Sequence, residues 1–93
     1  MMHKTLKKNW LKALRSRKYK QGQGRLRIDG PEQVAYCCLG VLCEVAGIKY
    51  NPNAVTPSKN FRIGEEDIYR LIEMNDKDDR KFYQIARWIE RNL

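Results

Sequence analysis

The stretch Ala35-Tyr36-Cys37-Cys38-Leu39-Gly40-Val41-Leu42-Cys43-Glu44-Val45-Ala46-Gly47 decides the fold. Ten of these residues are apolar, two are glycines, and Glu44 is the one charge. In a chain that is 32% charged, such a run belongs at the centre of the core. It is too short to span a bilayer, which takes about 20 apolar residues. Its length and closing glycine suit a buried helix that ends in a left-handed cap. Pro31 fits a first helical turn with Asp29 or Gly30 as cap, so the helix is expected from about Pro31 to Ala46.

Working outward toward the N-terminus, residues 4–18 read as an amphipathic helix. Leu6, Trp10, Ala13 and Leu14 recur at helical spacing, with Leu11 at the margin and lysines opposite. Thr5 is the expected cap. Trp10 lies in the apolar stripe and reads as a core anchor. Gly22 and Gly24 then break the periodicity. Arg25-Leu26-Arg27-Ile28 alternates as a short strand does, with Leu26 and Ile28 inward and the arginines outward.

Toward the C-terminus, Ile48-Lys49-Tyr50 and Phe61-Arg62-Ile63 read as short strands, with turn signals at Asn51-Pro52-Asn53 and Pro57-Ser58 between them. A small sheet joining them to residues 25–28 is expected. Gly64 opens a third helix, where Glu65, Glu66 and Asp67 complement the helix dipole and Ile68, Leu71 and Ile72 turn inward. Asn75-Asp76-Lys77-Asp78 reads as a turn. A last helix starts near Asp78 or Asp79 and buries Phe82, Ile85, Ala86, Ile89 and Leu93. The expectation is one α+β domain over residues 1–93, helix-rich, with about four helices, two or three short strands and the cysteine helix at its centre.

Three cysteines do not make a disulfide framework, because one is left over. Cys37 and Cys43 enclose five residues and His3 stands alone, so zinc-ligand spacing is absent. Small buried hydrophobes in a reducing compartment are the natural reading. Ser16 and Ser58 have no histidine partner, and the acidic run 75–79 lacks the glycine and closing glutamate of a calcium loop. No catalytic residue, metal or cofactor is therefore expected. The basic start of the chain reaches no apolar signal core, and no segment is long enough to span a membrane, so a soluble cytoplasmic protein is expected.

The net charge of +8 is unevenly placed. Residues 1–30 carry ten basic side chains against Asp29, a balance of +9, and the other residues carry nine against ten, a balance of −1. Such unevenness points to an anionic partner. The segment Gln21-Gly22-Gln23-Gly24 lies between Lys18, Lys20, Arg25 and Arg27, and glycine lets backbone N–H groups approach a phosphate. A phosphorylated, nucleotide-like ligand is expected here. Arg15, Lys20, Arg25 and Arg27 would hold phosphates, and Tyr19 or Gln21 would contact the base.

Two alternatives use the same charge. Lys4, Lys7, Lys8, Lys12 and Arg15 on the first helix would bind nucleic acid without sequence preference. An acidic groove on a partner protein would be steered to the same face. A chain this small has little surface to enclose a ligand alone, which favours a homodimer. Tyr50, Tyr69, Tyr83 and Trp88 fall off the main apolar stripes, and Trp88 is expected near the contact.

Several segments recur together in a known setting. They are Trp10-Leu11-Lys12-Ala13-Leu14-Arg15-Ser16, then Tyr19-Lys20-Gln21-Gly22 and Gly24-Arg25-Leu26, then Tyr36-Cys37-Cys38-Leu39-Gly40-Val41-Leu42-Cys43. Met74-Asn75-Asp76 and the Phe82, Ile85, Ala86, Ile89, Glu90, Leu93 pattern follow in order. Over nearly its whole length the chain resembles a family of small proteins encoded by bacteriophages and prophages. It departs from the pattern between Asn60 and Asp67. The resemblance implies a setting in the host bacterial cytosol rather than a reaction: a small accessory protein acting on host machinery, such as a counter-defence factor that sequesters a nucleotide signal.

Overall fold

The computed structural model describes residues 2–93. Four helices and one small mixed sheet make an α+β fold: α1 Lys4–Arg15, β1 Lys20–Gln21, β2 Arg27–Asp29, β3 Val34–Tyr36, α2 Cys38–Ala46, α3 Glu65–Asp76 and α4 Phe82–Asn92. The strand order is β1-β3-β2. β3 pairs antiparallel with β2, Ile28 opposite Ala35, and parallel with β1, Gln21 opposite Tyr36. Among the described residues, no helix is long and apolar enough to cross a membrane.

α2 is apolar but for Glu44, and residues 38–43 are all buried. Six consecutive buried residues cover every face of a helix, so its first turns are enclosed on all sides. It ends as its sequence requires, with Gly47 left-handed at φ 67° and its N–H bonded back to Cys43 and Glu44 carbonyls. Its beginning differs from expectation. Residues 31–37 are not helical: the Gly30 N–H donates to the Gln33 carbonyl at 3.2 Å and closes a tight turn, and Val34-Ala35-Tyr36 forms β3. Val34 is β-branched and Tyr36 aromatic, both at home in a strand, and a strand partner was available in β2. The Cys37 sulfur then caps the helix by accepting from the Gly40 N–H at 3.4 Å.

Gly40 is where α2 meets the rest of the chain most closely. A Cβ placed on it would lie 1.8 Å from the Leu26 carbonyl oxygen. That same oxygen accepts from the Cys37 N–H at 3.2 Å, so the backbone before β2 and the start of α2 are in direct contact. On the other side, Trp10 is fully buried and its indole N–H donates to the Cys38 carbonyl at 2.9 Å. This bond supplies the partner that a buried indole needs and pins α1 to α2.

Three further boundaries differ from expectation. α1 stops at Arg15, because the Ser16 hydroxyl bonds back to the Ala13 carbonyl at 2.7 Å and Arg17 turns left-handed at φ 63°. Its N-cap is His3 rather than Thr5. The segments 48–50 and 61–63 form no strands. The 51–54 loop instead lends carbonyls to the sheet side, Ala54 to the Leu26 N–H at 2.8 Å and Pro52 to the Arg27 N–H at 3.1 Å. Phe61 and Ile63 are buried and anchor the long connection to α3. α3 begins at Glu65 behind Gly64 with its three acidic residues in the first turn, and α4 begins at Phe82, later than expected.

Candidate functional site

The glycine segment Gln21–Gly24 is tied to the end of α3. Asn75, on the last turn of α3, is fully buried. Its Oδ1 accepts from Gln21 Nε2 at 3.0 Å and from the Cys38 N–H at 3.3 Å. Its Nδ2 donates to the Gly22 carbonyl at 2.8 Å and to Asp76 Oδ1 at 2.9 Å. A buried amide with all four of its hydrogen-bonding positions used is worth more than its pairwise parts, since the alternative is several stranded polar groups. Gln23 Nε2 adds a bond to the Asn75 carbonyl at 3.2 Å.

This arrangement corrects the reading of residues 21–24 as a phosphate loop. The Gly24 N–H donates to Asp76 Oδ1 at 3.2 Å, so a carboxylate of the chain itself already uses it. The Gly22 N–H donates to the Tyr36 carbonyl at 2.7 Å. Gly22 is small for a packing reason: a Cβ there would come within 2.9 Å of the Ala35 Cβ.

Gln21 is likewise committed. Besides Asn75, its Nε2 donates to the Arg80 carbonyl at 2.7 Å, and its Oε1 accepts from the Phe82 N–H at 3.1 Å. The side chain leaves no donor for a base. It instead stitches β1 to the start of α4 and so places the α4 side chains beside the end of α1.

Between those two helices lies a basic cleft with two adjoining parts. The first, about 360 Å³, is lined by Leu14, Arg15, Arg17, Tyr19, Gln21, Phe82 and Tyr83. The second, about 450 Å³, is lined by Arg15, Arg80, Tyr83, Gln84 and Arg87. Arg15 and Tyr83 belong to both. Arg15 pairs with Glu90, its two guanidinium nitrogens 3.3 and 3.4 Å from the carboxylate oxygens. Among the described residues, Arg17, Arg80 and Arg87 have no carboxylate partner. Tyr19 is partly buried, held edge-on against Tyr36 at 5.2 Å with the Lys18 ammonium 5.6 Å from its ring.

Of the six expected ligand residues, the structure brings Arg15, Tyr19 and Gln21 together in this cleft. Lys20 is exposed on β1 and does not line it. Arg25 and Arg27 turn to the 51–53 loop side. Arg25 bonds Asn53 Oδ1 at 3.2 Å, while Arg27 lies 3.2 Å from Asp29 Oδ1 and 5.7 Å from the Tyr50 ring centroid. Arg27 lies on β2 and Arg25 in the bend before it, and both side chains lie away from Arg15. Sequence reading missed Arg17, Arg80, Tyr83, Gln84 and Arg87. A signal was present: Arg80, Gln84, Arg87 and Arg91 recur at helical spacing opposite the apolar stripe of α4.

The aromatics expected at a dimer contact divide. Tyr69 and Tyr83 are exposed. Trp88 is partly buried against the core, and Tyr50 packs there too, with its hydroxyl donating to Glu44 Oε2 at 2.6 Å.

The three cysteines are buried and unpaired. Burial pushes the Cys37 thiol up to about 11 and the Cys43 thiol up to about 12, and raises Cys38 as well. The thiolate is the reactive form, so these side chains act as packing groups at neutral pH. Among the described residues, no cluster of three or more His, Cys, Asp or Glu is placed to hold a metal ion.

A family model described as a domain of unknown function, DUF8296, matches residues 2–54. The chain belongs to that family. The matched span holds α1, the whole sheet and α2, and with them the Arg15–Gln21 wall of the cleft. The facing wall, from Arg80 to Arg87, lies beyond it. No curated protein and no solved structure matches the chain.

Proposed function

We propose that the protein binds a phosphorylated, nucleotide-type small molecule in the arginine-lined cleft and holds it without chemical change. The observation that carries this reading is the convergence of Arg15 and Arg17, at the end of α1, with Arg80 and Arg87, at the start of α4 and on it, onto one depression where, among the described residues, Glu90 is the only carboxylate paired to them. Guanidinium groups match phosphate oxygens in geometry and stay charged throughout the physiological range. Tyr19 and Tyr83 offer rings on which a base can stack. Lys20, Arg25 and Arg27 would contribute only to the general positive field.

The reading includes the setting implied by the resemblance to bacteriophage and prophage proteins: an accessory, counter-defence factor in the host cytosol that sequesters a nucleotide signal. It also includes a homodimer, with a second copy closing the open cleft. Calorimetry against a panel of linear and cyclic nucleotides tests the ligand. Micromolar binding to at least one is expected, and no heat at millimolar ligand would reject the proposal. Light scattering with and without the bound nucleotide tests the dimer.

The second reading is nucleic-acid binding along α1, favoured by the exposed row Lys4, Lys8 and Lys12. Its mark is an affinity that falls steeply with salt, by roughly one power of salt concentration per phosphate contact. An acidic surface on a host protein would appear as a stoichiometric protein partner in pull-downs from infected cells, with no nucleotide recovered.

A further inference from the structure

The two parts of the cleft differ in chemistry. The first has an apolar floor, Leu14 and Phe82, both buried, with the rings of Tyr19 and Tyr83 beside it. The second has no buried apolar floor and carries three guanidiniums, from Arg15, Arg80 and Arg87, with Gln84 and the Tyr83 ring that it shares with the first. Resting on the nucleotide reading above, we propose that the ligand is a nucleoside bearing two or more phosphates in a chain. Its base lies in the first part and its phosphate chain in the second, and Arg15 and Tyr83 meet it where the two join.

The division follows from what each half of such a ligand needs. A base needs a flat apolar surface and an aromatic neighbour; the first part supplies Leu14, Phe82 and two tyrosine rings, the second only the shared Tyr83 ring. A terminal phosphate carries close to two negative charges and each added phosphate about one more. Arg80 and Arg87 have no carboxylate partner among the described residues, and Arg15 is shared with Glu90. Such a set exceeds what one phosphate group neutralises and suits a chain of them.

Arg17 supports the same assignment from backbone conformation. It is the residue just past the α1 cap, at φ 63°, a position where glycine is the favoured residue. An arginine there accepts backbone strain and sets a fourth guanidinium on the first part of the cleft. Phe61, Arg62 and Asp79 share this left-handed backbone, and Arg17 is the one of the four that lines the cleft.

The experiment is calorimetry on the full chain with a nucleoside, its monophosphate, its triphosphate, a cyclic dinucleotide and inorganic tripolyphosphate. The triphosphate is expected to bind at least tenfold tighter than the monophosphate and at least tenfold tighter than tripolyphosphate. Arg87→Ala should weaken the triphosphate tenfold or more and the monophosphate less than threefold. Tyr83→Ala, at a side chain that is 64% exposed and so not needed for folding, should weaken the triphosphate and leave tripolyphosphate unchanged. Arg17→Gly should weaken binding while the thermal midpoint holds or rises, which separates lost contacts from lost fold. Equal affinity for monophosphate and triphosphate, or tighter binding of the cyclic dinucleotide, overturns the two-part assignment and leaves the nucleotide reading intact. Tripolyphosphate binding as tightly as the triphosphate overturns the base half. An oligonucleotide outcompeting every small ligand, or no nucleotide binding at all, overturns both.

Discussion

Gly40→Ala sets two physical effects against each other. In an exposed helix the change would stabilise by about 1 kcal/mol, because alanine is the better helix former. Here the added Cβ would stand 1.8 Å from the Leu26 carbonyl oxygen and 2.7 Å from its carbonyl carbon. Real Cβ contacts essentially never fall below 3.0 Å, so α2 or the Leu26 backbone must retreat by about 1.2 Å. Leu26 is not free to do so: its N–H is bonded to Ala54 and its carbonyl to Cys37. Retreat of α2 would open gaps around Leu39, Val41 and Leu42, all fully buried, and forfeit dispersion contacts there. Overpacking costs about 1–3 kcal/mol and occasionally more, and the lost Cys37–Leu26 bond adds about 1 kcal/mol. Set against the gain in helix propensity, the net expectation is a loss of about 1–3 kcal/mol. A chain of this length has about 5–14 kcal/mol to lose. Thermal unfolding followed by far-ultraviolet circular dichroism should show a midpoint at least about 4 °C lower, since each kcal/mol shifts a domain of this size by about 4–8 °C. Gly64→Ala, where a Cβ meets nothing within 4 Å, is the control and should cost only what alanine costs at a helix N-cap, less than about 1 kcal/mol. A Gly40→Ala midpoint equal to or above that of the parent protein would refute the close-contact argument.

Asn75→Ala strands the Cys38 N–H and the Gly22 carbonyl in the interior, and urea denaturation should show a loss of about 3–5 kcal/mol; Asn75→Asp should not rescue it, because a second acceptor would then face the Gly22 carbonyl and Asp76. Stability should fall in alkali. The folded-state thiol pKa values lie above the unfolded value of 9.0, so the unfolded chain loses protons first. The thermal midpoint should hold to about pH 8.5 and then drop up to about pH 12, each cysteine contributing a slope of at most about 1.4 kcal/mol per pH unit. In keeping with that burial, a thiol reagent at pH 8 should label Cys37, Cys38 and Cys43 only after urea is added; simultaneous labelling of all three in the native protein would contradict the core described here. Leu39→Ala or Leu42→Ala removes a fully buried side chain and should cost about 2–5 kcal/mol in denaturant unfolding.

The sequence by itself determined the core. The cysteine helix, its glycine cap, the anchoring Trp10 and the apolar stripes of α3 and α4 were all legible, because burial imposes a composition and helices impose a spacing that survive in one dimension. Local signals failed where two structures compete for the same residues. Asp29-Gly30-Pro31 is as good a helix start as a hairpin turn, and only pairing with β2 and β1 turned residues 34–36 into a strand. The glycines at 22 and 24 looked like a phosphate loop. Their N–H groups were already spoken for by Tyr36 and by Asp76, partners too distant along the chain for any local pattern to reveal. The cleft was decided the same way. Arg15, Tyr19 and Gln21 were visible as a basic, aromatic segment, but Arg80, Tyr83 and Arg87 joined them only through the packing of α4 against α1 and the three bonds of Gln21. Apolar periodicity is a property of each element alone, whereas a binding surface is made by elements meeting. Their meeting depends on side-chain contacts between residues more than fifty positions apart.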